Sequence, residues 1–137
     1  HVSIRRTDYL DKQNENLDIF NKDYSYYKRA FSYIKEKINN PTFFIFSDDI
    51  DWCKEFFSDE ENCIFIEPNE ENPIEDMYLM YICKHHIIPN STFAWWPSFL
   101  DKKPSKIVLY PDKWNRKTPT KNINLVPKDQ NWIEVNV

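Results

Sequence analysis

Glycine is absent from all 137 residues. Glycine-rich phosphate loops need that residue, because only a backbone without Cβ approaches a phosphate so closely. The dinucleotide fingerprint G-x-G-x-x-G and the Walker P-loop are therefore excluded. Cysteine is scarce: Cys53, Cys63 and Cys83 are three in number and lack CxxC spacing. That argues against a disulfide framework or a zinc knuckle and reads as reduced, mostly buried thiols of a cytoplasmic protein. No apolar run approaches the length needed to cross a bilayer, and no signal peptide stands within the chain. A basic surplus is also missing. Eighteen Lys and Arg face twenty-two Asp and Glu, for a net charge of −4. Nonspecific nucleic-acid binders carry the opposite balance. An anionic ligand must be met here by local cations and backbone N–H groups.

What is present describes one folded domain. Hydrophobic residues make up 41% and aromatics 17%, too apolar for a disordered segment. The length suits one sheet with helices packed on it. The first residue is His1, not Met, so the chain reads as a piece of a longer protein.

Apolar runs alternate with longer helical patterns. His1 to Ile4 reads as a strand entering an Arg-Arg turn, and residues 11–23 as a polar loop. Ser25 to Ile38 carries Tyr27, Ala30, Phe31, Ile34 and Ile38 at helical spacing and stops at Asn39-Asn40-Pro41. Thr42 to Phe46 is a compact apolar strand, capped into a helix over 50–57 by Ser47-Asp48-Asp49. Cys63 to Ile66 is the next strand. Asn72-Pro73-Ile74-Glu75 offers a cap, a proline at the first helical position and an acidic third residue. The helix it opens runs to about Lys84, is apolar nearly all round, and so is expected to be buried. Strands come next at 86–88 and 106–110, with a helix over 93–100 between them and a weak strand at 133–135.

Repeated strand–helix units mean crossovers and a parallel sheet. Ligands of such sheets bind outside the carboxyl ends of the strands. Three polar clusters fall there: Arg5-Arg6-Thr7-Asp8, Ser47-Asp48-Asp49 and Asn90-Ser91-Thr92. Arginine offers a planar fork of donors matched to phosphate oxygens, and Asp8 can orient a guanidinium or meet a sugar hydroxyl. A solvated turn with a local Arg–Asp pair explains the same residues equally well. Ser91 and Thr92 at a helix start suit a phosphate, yet also suit an ordinary N-cap. Asp48 and Asp49 could accept from a base or ribose, or simply cap a helix. No third ligand stands near them, so a metal site is not expected. Asn90-Ser91-Thr92 matches the N-glycosylation pattern, which matters only on a secreted surface. His85 and His86 at a helix end read as dipole partners or core filler. Trp95 and Trp96 read as core or interface aromatics.

Several segments together resemble glycosyltransferase family 11, the alpha-1,2-fucosyltransferases, especially bacterial members. They are Ser3-Ile4-Arg5-Arg6-Thr7-Asp8-Tyr9, Phe43 to Asp49 with Trp52-Cys53-Lys54, Asp76 to Met80, Cys83-Lys84-His85, and Asn90 to Trp96. Tyr110 to Trp114, then Leu125-Val126-Pro127 before Trp132-Ile133, resemble the family's C-terminal end. The resemblance implies an α/β fold: a Rossmann-like parallel sheet with flanking helices, one lobe of a GT-B type glycosyltransferase. Residues 1–137 would be the C-terminal lobe that binds GDP-fucose, with the N-terminal lobe absent. It implies inverting, metal-independent transfer of fucose to the 2-hydroxyl of a galactose-type acceptor, with no cofactor beyond the donor substrate.

By the same resemblance Arg5 and Arg6 match the two arginines of the family's H-x-R-R-G-D motif and hold the diphosphate, and Asp8 matches its aspartate. These three are the expected catalytic residues. Asp48 or Asp49 would face the guanosine. Ser91 and Thr92 would meet phosphate or fucose, and Ser3 and Asn90 complete the donor-binding set. Three positions depart from the pattern. Ser3 stands where the family has histidine, Thr7 where it has the turn glycine, and Pro97 where it has glycine after the tryptophan pair. A degenerate lobe that binds a guanine-nucleotide sugar without transferring it is the alternative, and a purely structural α/β domain is a third. A Golgi enzyme cut from its anchor would read the same way as a cytoplasmic bacterial one.

Overall fold

The computed structural model describes residues 1–20 and 23–137. Six parallel strands form one sheet. They are β1 (Val2–Ile4), β2 (Phe43–Ser47), β3 (Cys63–Ile66), β4 (His86–Ile87), β5 (Val108–Pro111) and β8 (Trp132–Val135). Their order across the sheet is β3-β2-β1-β4-β5-β8. Among the described residues four α-helices connect the first five of them: α1 (Ser25–Lys37), α2 (Ile50–Phe56), α3 (Pro73–Ile82) and α4 (Thr92–Leu100). A small antiparallel hairpin, β6 (Lys113–Asn115) and β7 (Thr118–Pro119), sits after β5. Its strands are too short to leave an alternating pattern, and nothing in the sequence pointed to it. The Rossmann-like parallel sheet with flanking helices is as expected.

The first half of the chain winds one way from β1, through β2 to β3. The crossover through α3 then returns to the other side of β1, where β4, β5 and β8 are laid down. β1 is therefore the point where strand order reverses. Val2 pairs with Ile45 on one side and Ile87 on the other.

α1 and α2 cover one face. Their Tyr27, Ala30, Phe31, Ile34 and Cys53, with Phe57, pack on Val2, Ile4, Phe43, Ile45, Ile87 and Leu109. Phe31 stacks between Phe43 at 3.9 Å and Phe57 at 4.9 Å. Two buried hydroxyls bond across the sheet: Tyr26 donates to Ile88 O at 2.7 Å, and Tyr27 to Ser3 O at 3.0 Å. α4 contributes Ala94 to a smaller cluster with Ile88, Val108 and Tyr110 on the opposite face.

Two expectations need correction. α3 is not buried: Ile74, Tyr78, Leu79, Tyr81 and Ile82 are exposed, and Met80 alone is in the core. Its all-round apolarity reflects an uncovered surface and not enclosure, a distinction that periodicity cannot draw. Of the thiols, Cys53 is buried, whereas Cys63 and Cys83 are partly exposed. The loop over 11–23 holds a short 3-10 turn, Lys12–Asn14; its residues 21 and 22 lie outside the described residues.

Left-handed backbone appears at Tyr24, Asn40 and Asn62. Asparagine tolerates this region best after glycine. The two asparagines also bond one another, Asn62 Nδ2 to Asn40 Oδ1 at 2.9 Å. This is how turns close here without glycine.

Phe31→Ala should lower the unfolding free energy by about 3–5 kcal/mol, because the cavity between two rings cannot collapse; a urea titration measures it. A pH effect arises from His86, whose ring is fully buried between His1 and Asp101. Burial first, then the neighbouring amine, pull its pKa down to about 2 from the ordinary 6.5. The folded state thus stays unprotonated at His86 while the unfolded state takes up the proton. This stability is complete above pH 6.5 and declines as pH falls, by up to about 1.4 kcal/mol per pH unit. Urea midpoints measured from pH 7 to pH 4 should fall, and His86→Gln should flatten the slope.

Candidate functional site

The carboxyl ends of β1, β2, β3 and β4 open on a cleft of about 130 Å³. It lies beside the reversal point between β1 and β4, where doubly wound sheets bind ligands. Ser3, Arg5, Ser47, Asp48, Asp76 and Ser91 supply its polar wall. Ile66, Met80 and Phe93 supply much of its apolar wall. Of the expected site residues, Ser3, Arg5, Asp48 and Ser91 meet here. Arg6, Asp8, Asp49, Asn90 and Thr92 stand around it without lining it.

One carboxylate organises the Arg-Arg turn. Asp48 Oδ1 accepts from Arg6 N at 2.9 Å, and Oδ2 from Thr7 N at 3.2 Å and Thr7 Oγ1 at 2.6 Å. Arg5 Nε lies 3.6 Å from the same oxygen. The end of β2 thus clamps the end of β1. Thr7 is at home in place of glycine: its backbone is not left-handed, and its hydroxyl is used. Asp49 has two duties. It caps α2 through Trp52 N at 3.3 Å, and it pairs with Arg6.

The two arginines differ in availability. Arg6 lies over Trp52, 4.8 Å from the ring centroid, and its Nε is buried without a partner. Arg5 is more exposed, faces the cleft, and pairs with Asp8. Both readings of the Arg–Asp turn are therefore realised in one geometry: the pair exists, and it stands in a cleft.

Asn90 is tied into the scaffold. Its Nδ2 donates to Leu17 O and Trp114 O, both at 2.9 Å, and its own carbonyl accepts from Tyr9 Oη at 2.9 Å. Ser91 is the N-cap of α4, but its side chain caps nothing. Among the described residues its hydroxyl has no bond to the helix it opens, and the N–H groups of a helix start favour an anion. Thr92 opens α4 on the exposed side. The helix runs through Pro97 and begins one residue earlier than expected. Asp76 was missed as a site residue. It lines the cleft from the first turn of α3 while its Oδ2 accepts from Asn69 N at 2.9 Å. An acidic residue just after an Asn-Pro helix start was the available signal, and dipole complementation explains it locally without any site.

His85 and His86 sit at the opposite end of the sheet. His86 Nε2 meets Asp101 Oδ2 at 2.9 Å and its Nδ1 meets His1 Nδ1 at 3.0 Å. His86 is a core group, as expected, whereas His85 is only partly buried and its Nδ1 accepts from Ile107 N at 3.1 Å. Trp95 is half-buried, with its indole N–H on Leu125 O at 2.6 Å, while Trp96 is exposed. Among the described residues no group of three or more His, Cys, Asp or Glu is placed to hold a metal ion, and no helix is long and apolar enough to cross a membrane.

Comparison with known proteins gives this geometry a setting. An alpha-1,2-colitosyltransferase of Escherichia coli is 37% identical over 98% of this chain and 46% of its own length. The O-antigen biosynthesis glycosyltransferase WbnK of Escherichia coli is 35% identical over 82% of the chain and 38% of its length. The human galactoside alpha-(1,2)-fucosyltransferase 1 is 27% identical over 72% of the chain and 28% of its length. The chain thus spans less than half the length of each of these relatives. No solved structure matches it significantly. The family model described as glycosyl transferase family 11 matches residues 1–136. A chain matched from end to end, with its Arg-Arg turn facing a cleft at the reversal point of a parallel sheet, belongs to glycosyltransferase family 11.

Proposed function

We propose that this chain is the donor-binding lobe of an inverting, metal-independent alpha-1,2-fucosyltransferase. The observation that carries the reading is Arg5 facing the cleft beside the uncommitted Ser91 hydroxyl in a family 11 glycosyltransferase. In this reading the cleft takes GDP-fucose, and fucose passes to the 2-hydroxyl of a galactose-type acceptor. The remainder of a longer protein supplies the acceptor site and the general base, and the reaction runs in a bacterial cytoplasm.

The chemistry supports that use. Breaking the bond between fucosyl C1 and the phosphate oxygen leaves growing negative charge on GDP. Fixed donors aimed there bind the transition state more strongly than the ground state. Arg5 and the first turn of α4 are such donors, so the leaving group needs no metal ion. Arg5 is now paired with Asp8 and Asp48, but exposed ion pairs contribute only about 0–1 kcal/mol and exchange readily. A diphosphate, with two negative charges in one ligand, displaces them. Arg6, lodged over Trp52, acts by holding the turn through Asp49, and Asp8 steers the Arg5 guanidinium. In this reading Asp48 or Asp49 faces the guanosine, and Ser3, Asn90 and Thr92 complete the frame.

The colitosyl relative favours a second reading in which the same cleft takes nucleotide-activated colitose. Competition between the two donors in a transfer assay with the longer protein decides which sugar moves.

Titration with GDP-fucose should show saturable heat, with Arg5→Ala removing it and Asp112→Ala leaving it unchanged. Absence of heat and of any thermal shift at millimolar ligand sinks the donor site. In the longer protein Arg5→Ala should lower kcat/KM on the order of 10²–10³-fold. Asp48→Ala should act on the fold as well. Losing bonds to two N–H groups and a hydroxyl should lower the unfolding free energy by about 2–3 kcal/mol, read by urea titration.

A further inference from the structure

The two sides of the donor cleft come from different strand ends. Arg5 follows β1, and Ser91 follows β4 and caps α4. A ligand held by both needs them at a fixed separation. The sheet supplies that restraint on one edge of β1 and not on the other. Toward β2 the ladder runs from Val2–Ile45 through to Ile4–Ser47, so Asp48 arrives beside the Arg-Arg turn in register. Toward β4 the register is one pair, Val2 with Ile87. The ladder has ended there before either strand reaches the rim.

Beyond that rung, among the described residues, one side-chain bond joins the Arg-Arg turn to the start of α4. Tyr9 Oη donates to the main-chain carbonyl of Asn90 at 2.9 Å. Both residues are buried, so water does not compete for the bond. Each end of it is anchored. Tyr9 lies in the 3-10 turn Thr7–Leu10, and the amides of Tyr9 and Leu10 return to Arg6 O at 3.0 and 3.2 Å. The same turn is held on its far side by Asp48. Asn90 is pinned through its side-chain amide to Leu17 O and Trp114 O. Two residues earlier, Ile88 O accepts from Tyr26 Oη.

The chemistry of Tyr9 suits a permanent tie. Burial pushes its phenol up to about 12, against the opposing pull of Arg5. The hydroxyl therefore remains a donor at neutral pH. Tyr9 does not line the cleft, so it acts on a ligand there only through the groups it holds.

We propose that Tyr9 is a positioning residue for the donor diphosphate: its hydroxyl, bonded to Asn90 O, fixes the separation between Arg5 and the Ser91 end of α4. The inference rests on the donor reading above. A diphosphate carries two phosphoryl groups and meets both sides of the cleft together, whereas a monophosphate meets one. With the tie in place both contacts are set before the ligand arrives. Without it, binding must also order the second contact. The tie thus serves a ligand that spans the cleft and is indifferent to one that does not. A hydroxyl that only supports the fold has no such preference.

Tyr9→Phe removes the hydroxyl and keeps the ring. Chemical-shift titration by NMR reads its effect on GDP and on GMP. The variant should bind GDP about tenfold more weakly than the parent chain. Its affinity for GMP should stay within about twofold. Unchanged GDP binding, or equal weakening for both nucleotides, overturns the proposal and leaves the donor reading standing. A parent chain that binds neither nucleotide overturns both. Amide hydrogen exchange of the parent chain decides the matter should the variant not fold. The N–H of Tyr9 is bonded to Arg6 O and that of Trp95 to Ser91 O, so they report the two sides of the cleft. GDP should slow both by a similar factor. Slowing of one alone overturns the proposal.

Discussion

Val2, Ser3 and Ile4 form a strand of three residues, and the architecture turns on it. Its two edges bond to β2 and β4, so it joins the halves of the sheet that wind in opposite directions. All three residues are buried; Val2 and Ile4 pack in the core while Ser3 also lines the cleft. A parallel strand enclosed on both faces and both edges cannot shift register without exposing apolar side chains and breaking two ladders. The residue at its carboxyl end is therefore delivered to one place, and that residue is Arg5.

The carboxylates then set how that place behaves. Asp8, Asp48 and Asp49 meet Arg5 and Arg6, three negative charges against two positive. The turn is held in shape before any ligand arrives, which spares the ligand the cost of ordering it. Its hold on the two arginines is unequal. The guanidinium over Trp52 is fixed, while the one in the cleft faces solvent and can trade partners. A rigid backbone with one exchangeable cation is a suitable arrangement for an anionic leaving group, since reorganisation is completed in advance.

Much of the fold was legible from residue pattern. Ser25 to Lys37 shows helical spacing because one stripe of it must meet the sheet, and β3 was read to the residue because four apolar side chains stand between polar turns. The strand-end clusters were legible as a set, since parallel topology sends all of them to one rim. Their division of labour was not. Nothing in Arg5-Arg6 says that the second arginine lies over Trp52, far along the chain. Nothing in Asn90-Ser91-Thr92 says that the asparagine is spent on Leu17 and Trp114 while the serine is free. Asp76 went unnoticed for the same reason: it reaches the cleft that Arg5 lines from a distant part of the chain.

The sequence alone determined the class of fold, the rim that carries the three polar clusters, and the exclusion of every glycine-dependent phosphate loop. These depend on local periodicity, turn chemistry and residue type, which are written contiguously. Tertiary structure alone decided which polar residues share the cleft, which arginine is reachable, and that α3 is an uncovered surface and not a buried helix. Those outcomes depend on which side chains meet across strand order, and apolarity by itself does not distinguish a covered face from an exposed one.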